Sequence, residues 1–291
     1  MYQGNPGKRV HVGTIEMEYE EHGTGEPPFV LVHGFTGSRD DWKEHLPHLA
    51  ERGRTLAVDQ RGHGGSTNTG DAKSYQIDQL VADLAGFLDV VGAPEIDLLG
   101  HSMGGGVALG FVLAHPERVR SLILMDTLSG KFEIPDDANK LLEVAGKIAR
   151  EHGMETLYRL TRAASESNAK TPPAVKRCIE TMGPELYWAR AHQKHLAMDP
   201  VAFTARGAAL VKTTGVTDRL CEIACPTTVI VGAEDEPFLA PSELMAERIA
   251  GARKVVIENA AHCPQVEAPD AWRAAVDAHL DWARRSAPFR A

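Results

Sequence analysis

Apolar and polar positions along this chain change rhythm three times, and each change predicts a different kind of element. From Arg9 to Glu21 the two classes alternate around Gly13, as in a two-stranded antiparallel edge, and His22-Gly23-Thr24-Gly25 closes it as a turn. Phe29–Val32 and Thr55–Val58 are unbroken apolar runs, the mark of strands covered on both faces. Ile77, Leu80, Val81, Leu84, Leu88 and Val91 recur at helical spacing, with Ser74 placed to cap the start and Gly92 the end. Glu95–Leu99 then reads as a strand, Val107–Ala114 as a helix and Val119–Asp126 as a strand. Buried strands alternating with amphipathic helices require right-handed crossovers. The expected fold is therefore α/β, a mainly parallel central sheet with helices on both faces.

From Leu128 to Asp218 only the helical rhythm persists: Leu141, Leu142, Ala145 and Ile148, then Leu157, Leu160 and Ala164, broken by Pro172-Pro173, Pro184 and Pro200. Such a stretch is too long for a loop and too helical for the sheet, which predicts an inserted helical cap at 131–218. Residues 1–130 and 219–291 would then form the core. The sheet rhythm returns with Pro226–Gly232, the helix Pro241–Ile249 and the strand Lys254–Ile257, and a last helix presents Trp272, Ala275, Val276 and Leu280 on one face.

At 291 residues and 43% hydrophobic content the chain can bury a full core. A net charge of -9 with no block dense in Lys or Arg argues against a nucleic-acid partner. The longest apolar runs are strand-sized, which argues against a membrane span. Met1–Lys8 holds no apolar segment, so the expected location is cytoplasmic, with Cys178, Cys221, Cys225 and Cys263 as free thiols. Cys221 and Cys225 lack a second pair of ligands at metal-site spacing, so no metal is expected. The oligomeric state has no signal here.

The chemistry concentrates at Gly100-His101-Ser102-Met103-Gly104, between an apolar strand and a helix. Gly-x-Ser-x-Gly is the pattern of a sharp strand-to-helix corner, where the glycines remove side chains that would collide and the serine hydroxyl is left accessible. The N-terminus of the following helix favours negative charge developing on a substrate oxygen. Asp235 follows the resumed strand and His262 the last one, so all three reach the carboxyl edge of a parallel sheet. A serine needs a base to remove its proton, and a histidine base needs a carboxylate to orient it. Asp126 also ends a strand and is the rival acid. His33 and Ser66 are expected to brace their loops, and Glu234 and Glu236 to be solvated neighbours of the acid.

With His33-Gly34, the segment from Asp59 through Arg61-Gly62-His63-Gly64 to Ser66, the nucleophile corner, Gly232 before Asp235, and the late His262, the chain resembles the serine-nucleophile branch of the α/β-hydrolase fold superfamily over residues 9–130 and 219–284. The resemblance implies a triad of Ser102, Asp235 and His262, an oxyanion hole from the backbone N–H groups of Phe35 and Met103, a scaffold role for His63 and His101, which flank the site, and no cofactor. It also separates the chain from several relatives. Haloalkane dehalogenases and epoxide hydrolases of this fold carry Asp where Ser102 stands, and proline iminopeptidases have Trp at the position of Met103. Carbon–carbon hydrolases of ring-cleavage products usually place Asn before the serine and Trp after the histidine, where this chain has His101 and Cys263. Cofactor-free haloperoxidases tend to have Phe in place of His101. His33–Ser38 followed by Trp42 is similar to the menaquinone-pathway succinyl-hydroxycyclohexadiene carboxylate synthases, a lyase group.

The expected activity is hydrolysis of a small carboxylic ester through an acyl-enzyme, with Tyr158, Leu186 and Trp188 of the cap facing the substrate. The alternatives are carbon–carbon hydrolysis or lyase chemistry on a carboxylate-bearing substrate, and a ligand-binding homologue with little turnover. Residues 131–220 carry 14 Lys/Arg against 11 Asp/Glu, more basic than the chain as a whole. Arg159, Arg162 and Arg190 would be the cations steering an anionic substrate.

Overall fold

The computed structural model describes residues 7–131, 136–167, 171–212 and 215–286; the first six residues of the opening segment read above lie outside this range. Strands Lys8–Val12 (β1) and Ile15–His22 (β2) fold back on each other at Gly13, whose φ of 57° suits a residue without a Cβ. Phe29–Val32 (β3), helix Leu46–Arg52 (α1), Thr55–Val58 (β4), helix Ile77–Val90 (α2), Ile96–His101 (β5), helix Met103–Ala114 (α3) and Val119–Met125 (β6) follow. Four helices come next: Asp136–Ser167 (α4), Pro173–Met182 (α5), Pro184–Leu196 (α6) and Pro200–Lys212 (α7). Thr227–Gly232 (β7), Glu236–Arg248 (α8), Arg253–Ile257 (β8), the short Pro264–Glu267 (α9) and Pro269–Ser286 (α10) complete the chain.

The eight strands form one sheet in the order β1-β2-β4-β3-β5-β6-β7-β8. β1, β2 and β4 pair antiparallel, and every pair from β4 to β8 is parallel. Side chains of successive residues divide between its two faces, as the pleat demands. Val30 and Val32 of β3 join Leu98, Leu122 and Leu124 under α2 and α3, where Leu84, Phe87, Leu88 and Phe111 fill the first core. Phe29 and Leu31 join Leu99, Ile123 and Ile230 on the other face, against Trp42, Leu46, Trp272 and Val276.

Register aligns the parallel strands so that their carboxyl ends share one edge. His101 pairs with Met125, Met125 with Ile230, and Gly232 with Ile257, so the residues just beyond β5, β6, β7 and β8 emerge together.

Three boundaries differ from the sequence expectation. Ser74 does not cap α2; it lies in a separate turn, Ala72–Tyr75, and donates to Asp71 O at 2.7 Å, while α2 starts after Gln76 with no side-chain cap. Gly92 does end α2, at φ 68°. α3 begins at Met103, and Gly104 and Gly105, poor helix formers by propensity, sit in it where neighbours approach too closely for a side chain. α8 begins at Glu236, with a proline in its first turn, and Pro241 lies inside it.

The described residues between β6 and β7 contain no strand, as expected. α4 breaks at Gly153 (φ 82°) into the two helices that the apolar spacing implied, while α5, α6 and α7 each begin on a proline, whose missing N–H is harmless there. Ala149, Met154, Leu157, Met198 and Phe203 form the core of this segment and meet Tyr75 and Phe35 below it; Leu141 and Leu160 instead face solvent. Tyr75 Oη donates to the Asp199 carboxylate and Asp199 N to Gly62 O (3.0 Å), Arg190 pairs with Glu44, and Lys194 Nζ pairs with Asp41 at 2.7 Å. Glu234, expected to be solvated, accepts from Ala174 N (2.6 Å) and Arg177, because the start of α5 lies over the loop after β7. The four cysteines are free thiols. No helix among the described residues is long and apolar enough to cross a membrane.

Candidate active site

Ser102 sits at φ 53° and ψ -119°, a strained position for a residue with a side chain. Its backbone is tied on both sides: Ser102 N donates to Met125 O (2.9 Å), and Ser102 O accepts from Gly105 N (2.9 Å) and Thr127 Oγ1 (2.6 Å). The glycines of the motif are required by space. A Cβ at position 100 would stand 2.4 Å from Gly104 O, and one at position 104 would stand 2.4 Å from Val32 O and 2.5 Å from His33 O. These are backbone atoms at the sheet centre that cannot swing aside. Gly104→Ala is therefore expected to destabilise the fold by roughly 2–3 kcal/mol, read as a lower urea midpoint, and to reduce turnover by displacing the loop after β3.

The three loops bring Ser102, His262 and Asp235 into line. His262 Nε2 lies 3.0 Å from Ser102 Oγ, and His262 Nδ1 lies 2.7 Å from Asp235 Oδ2. Asp235 is buried, with its own N–H donating to Gly232 O (3.1 Å). The His262 ring packs on Phe238 at 4.7 Å between centroids, and its backbone carbonyl accepts from His101 Nε2 at 2.7 Å. Asp126 is also at hand, its Oδ1 accepting from Gly232 N (2.9 Å). Burial pushes the Asp126 carboxyl well above the usual carboxylate range; the Gly232 N–H opposes that shift and the neighbouring Asp235 charge reinforces it. The carboxylate in contact with His262 Nδ1 is that of Asp235, so the geometry favours Asp235.

On the opposite side of Ser102, the loop after β3 is held by groups expected to be scaffold. His33 Nδ1 contacts Gly34 O (2.8 Å), Gln60 N donates to His33 Nε2 (3.1 Å), and His63 Nε2 donates to Phe35 O (2.6 Å). Burial pulls His33 down to about 4 and His63 to about 3, so both rings are neutral at physiological pH. Ser66 accepts from Glu18 N (2.8 Å) and donates to Asp59 O (2.7 Å), bracing the next loop. The backbone N–H groups of Phe35 and Met103 have no acceptor among the described residues. A helix N-terminus and a loop amide left unpaired beside a serine suit a developing oxyanion.

These groups open into a cleft of about 570 Å³. Gly34, Phe35 and Ser102 form its floor, Ile77, Leu109, Leu128 and Val216 an apolar side, and Lys194 and Arg206 reach it from α6 and α7. Tyr158, Leu186 and Trp188 do not line it. Tyr158 is buried within the helical segment and donates to Trp188 O (2.9 Å), and Leu186 points to solvent. Arg162 pairs with Glu166 and stacks over Trp188, Arg190 pairs with Glu44, and Arg159 is exposed, so none of the three arginines expected to steer a substrate lines the cleft. The cations that do are Lys194 and Arg206. Burial works against the Lys194 charge, but the Asp41 carboxylate outweighs it and raises the ammonium. Neither carries a sequence signal, since a charged residue in an amphipathic helix reads as solvated. Phe238 and Cys263, also in the wall, were likewise not singled out for the site.

A family model described as the alpha/beta hydrolase fold matches residues 27–269. The chain is 27% identical over 243 residues to a protein of Bacillus subtilis (strain 168) provisionally named 2-succinyl-6-hydroxy-2,4-cyclohexadiene-1-carboxylate synthase, covering 82% of this chain and 85% of that one. It is 36% identical over 133 residues to a 2-hydroxy-6-oxo-2,4-heptadienoate hydrolase of Pseudomonas putida, a match of 45% of this chain and 48% of that relative. The structure superposes on a thermophilic esterase from Thermogutta terrifontis, solved with malate bound, with a TM-score of 0.80 at 28% identity over 95% of this chain and 99% of that one. The parallel sheet, the strained serine at its carboxyl edge and a family match over most of the length agree: the chain belongs to the alpha/beta hydrolase fold family.

Proposed function

We propose that the chain hydrolyses carboxylic esters of small molecules by acyl transfer, with Ser102 as nucleophile, His262 as general base and acid, and Asp235 as the orienting carboxylate. The observation that carries this reading is the continuous contact from Asp235 through His262 to Ser102, at 2.7 and 3.0 Å, on a serine held at a strained corner. His262 Nε2 takes the hydroxyl proton as Oγ bonds to the ester carbon, and the oxyanion is received by the N–H groups of Phe35 and Met103. The same proton passes to the departing alkoxide, leaving an acyl-serine. Water then repeats the sequence and frees the acid. No metal or organic cofactor takes part. The helical segment 131–218 acts as a cap that closes the cleft over the core formed by 1–130 and 219–291.

A fluorophosphonate probe should label Ser102, and short-chain 4-nitrophenyl esters should be turned over at steady state. Labelling without turnover would favour a binding protein or a different reaction, and no labelling would overturn the serine mechanism. One observation favours a second reading, carbon–carbon cleavage or lyase chemistry on a carboxylate-bearing substrate: the buried cation Arg206 in the cleft wall, alongside relatives named for such compounds. Failure to hydrolyse any simple alkyl ester, with Ser102 still labelled, would move the assignment there.

A further inference from the structure

Arg206 differs from the other buried cations of this chain. Arg39 pairs with Glu18 and Asp59, Arg61 with Asp83, and Lys194 with Asp41. Arg206 is 2% exposed, its Nε meets only the Met103 sulfur at 2.6 Å, and its Nη1 has no partner. No carboxylate among the described residues stands within ion-pair distance of it. A thioether is a weak acceptor and does not neutralise a guanidinium. Burial lowers the group to about 9, so it still carries its charge at neutral pH.

An uncompensated buried charge is strongly unfavourable, and a fold tolerates one where a ligand supplies the opposite charge. Arg206 lines the cleft that contains Ser102, and the residue it touches, Met103, is the one whose backbone N–H is unpaired beside that serine among the described residues. An anion held by Arg206 and a carbonyl attacked by Ser102 would therefore share one cleft. The neighbouring wall of Ile77, Leu109, Leu128 and Val216 is apolar and suits a short carbon chain between the two groups.

We infer that Arg206 binds a carboxylate of the substrate, so that the preferred ester is an acidic one, with a free carboxylate a few carbons from the scissile carbonyl. This rests on the ester-hydrolysis reading above and narrows it to a substrate class. A planar guanidinium can grip a carboxylate through two N–H groups, which fixes the distance between anchor and reacting carbon.

The test compares monomethyl succinate and monomethyl glutarate with methyl pentanoate, and O-acetylglycolate with ethyl acetate, by pH-stat. At least one acidic ester should exceed its neutral counterpart by tenfold or more in kcat/KM, and Arg206→Met should bring the ratio of acidic to neutral kcat/KM to about one. An equal loss on neutral and acidic esters, or no acidic preference in the parent protein, would overturn the inference and leave the esterase reading intact. Absence of both labelling and turnover would instead remove the esterase reading. A binding measurement is independent of turnover: glutarate should raise the melting temperature of the parent protein above an equal ionic strength of sodium chloride, and Arg206→Met should lose that response. Without ligand, Arg206→Met should melt at the same temperature or higher, since an unpaired buried charge has been replaced by an apolar chain. A lower melting temperature together with an unchanged glutarate response would assign Arg206 a structural role and overturn the inference.

Discussion

Ser102→Ala is expected to lower kcat on the order of 10⁴- to 10⁶-fold while the protein keeps its circular dichroism spectrum and urea midpoint. The corner is held by the backbone of Ser102, not by its hydroxyl: Met125 O, Gly105 N and Thr127 Oγ1 make the bonds, whereas Oγ reaches only the His262 ring. Asp235→Asn should follow, with a loss on the order of 10⁴-fold, because an amide leaves the imidazole in the wrong tautomer and does not offset its charge. Asp126→Asn should cost less than about tenfold. Burial disfavours the Asp126 charge, and the amide oxygen can still accept from Gly232 N. The ranking is read from kcat/KM on one ester with the three purified variants. If Asp126→Asn lost more than Asp235→Asn, the acid role would pass to Asp126.

Much of this arrangement was legible because each reacting side chain ends a strand. Ser102, Asp235 and His262 follow β5, β7 and β8, where an apolar run stops at glycines or small residues and marks the sheet edge locally. His33 and Ser66 could be read as scaffold for the same reason, His63 and His101 from the family resemblance, and each bonds to backbone. The cap was legible as helices but not as a surface. Periodicity tells which face of a helix is apolar, not whether that face meets another helix, the cleft or water. Tyr158 turned out to meet the other cap helices, Leu186 to meet water, and Arg206 to turn inward. Lys194 and Asp41 are 153 positions apart, and nothing local to either announces the pair. The early start of α3 was hidden for a different reason, since glycines that propensity counts against a helix are demanded here by close approach to β3.

Acid should weaken this protein through its buried histidines. Burial lowers His33 to about 4 and His63, His101 and His279 to about 3, from an ordinary value of 6.5. Below pH 6.5 the unfolded chain takes up protons at these four sites and the folded chain does not, so stability falls with falling pH until the depressed values are reached. Each site contributes about 1.4 kcal/mol per pH unit once well inside that window. Several carboxyls act in the opposite sense, Asp40 and Glu267 among them, both raised by burial. Burial raises Asp59 to about 6 in spite of Arg39, and Asp126 is raised too, so the folded state binds these protons first and gains stability as pH drops. His45 and His195, which burial also lowers, add to the loss, so the measured slope is the difference between the histidine and carboxyl contributions. Against a typical total of about 5–15 kcal/mol, a loss from the histidines is large enough to read as a lower urea midpoint in acid. Urea midpoints at pH 7, 6 and 5 measure the slope. His279 isolates one contribution, because it lies under β7 away from the cleft with its Nδ1 2.8 Å from Thr228 Oγ1. His279→Gln should reduce the slope by about 1.4 kcal/mol per pH unit, one proton's share, with activity at pH 7 unchanged. A slope that stayed the same in this variant would mean that His279 protonates in the folded state and that its burial does not set the acid limit.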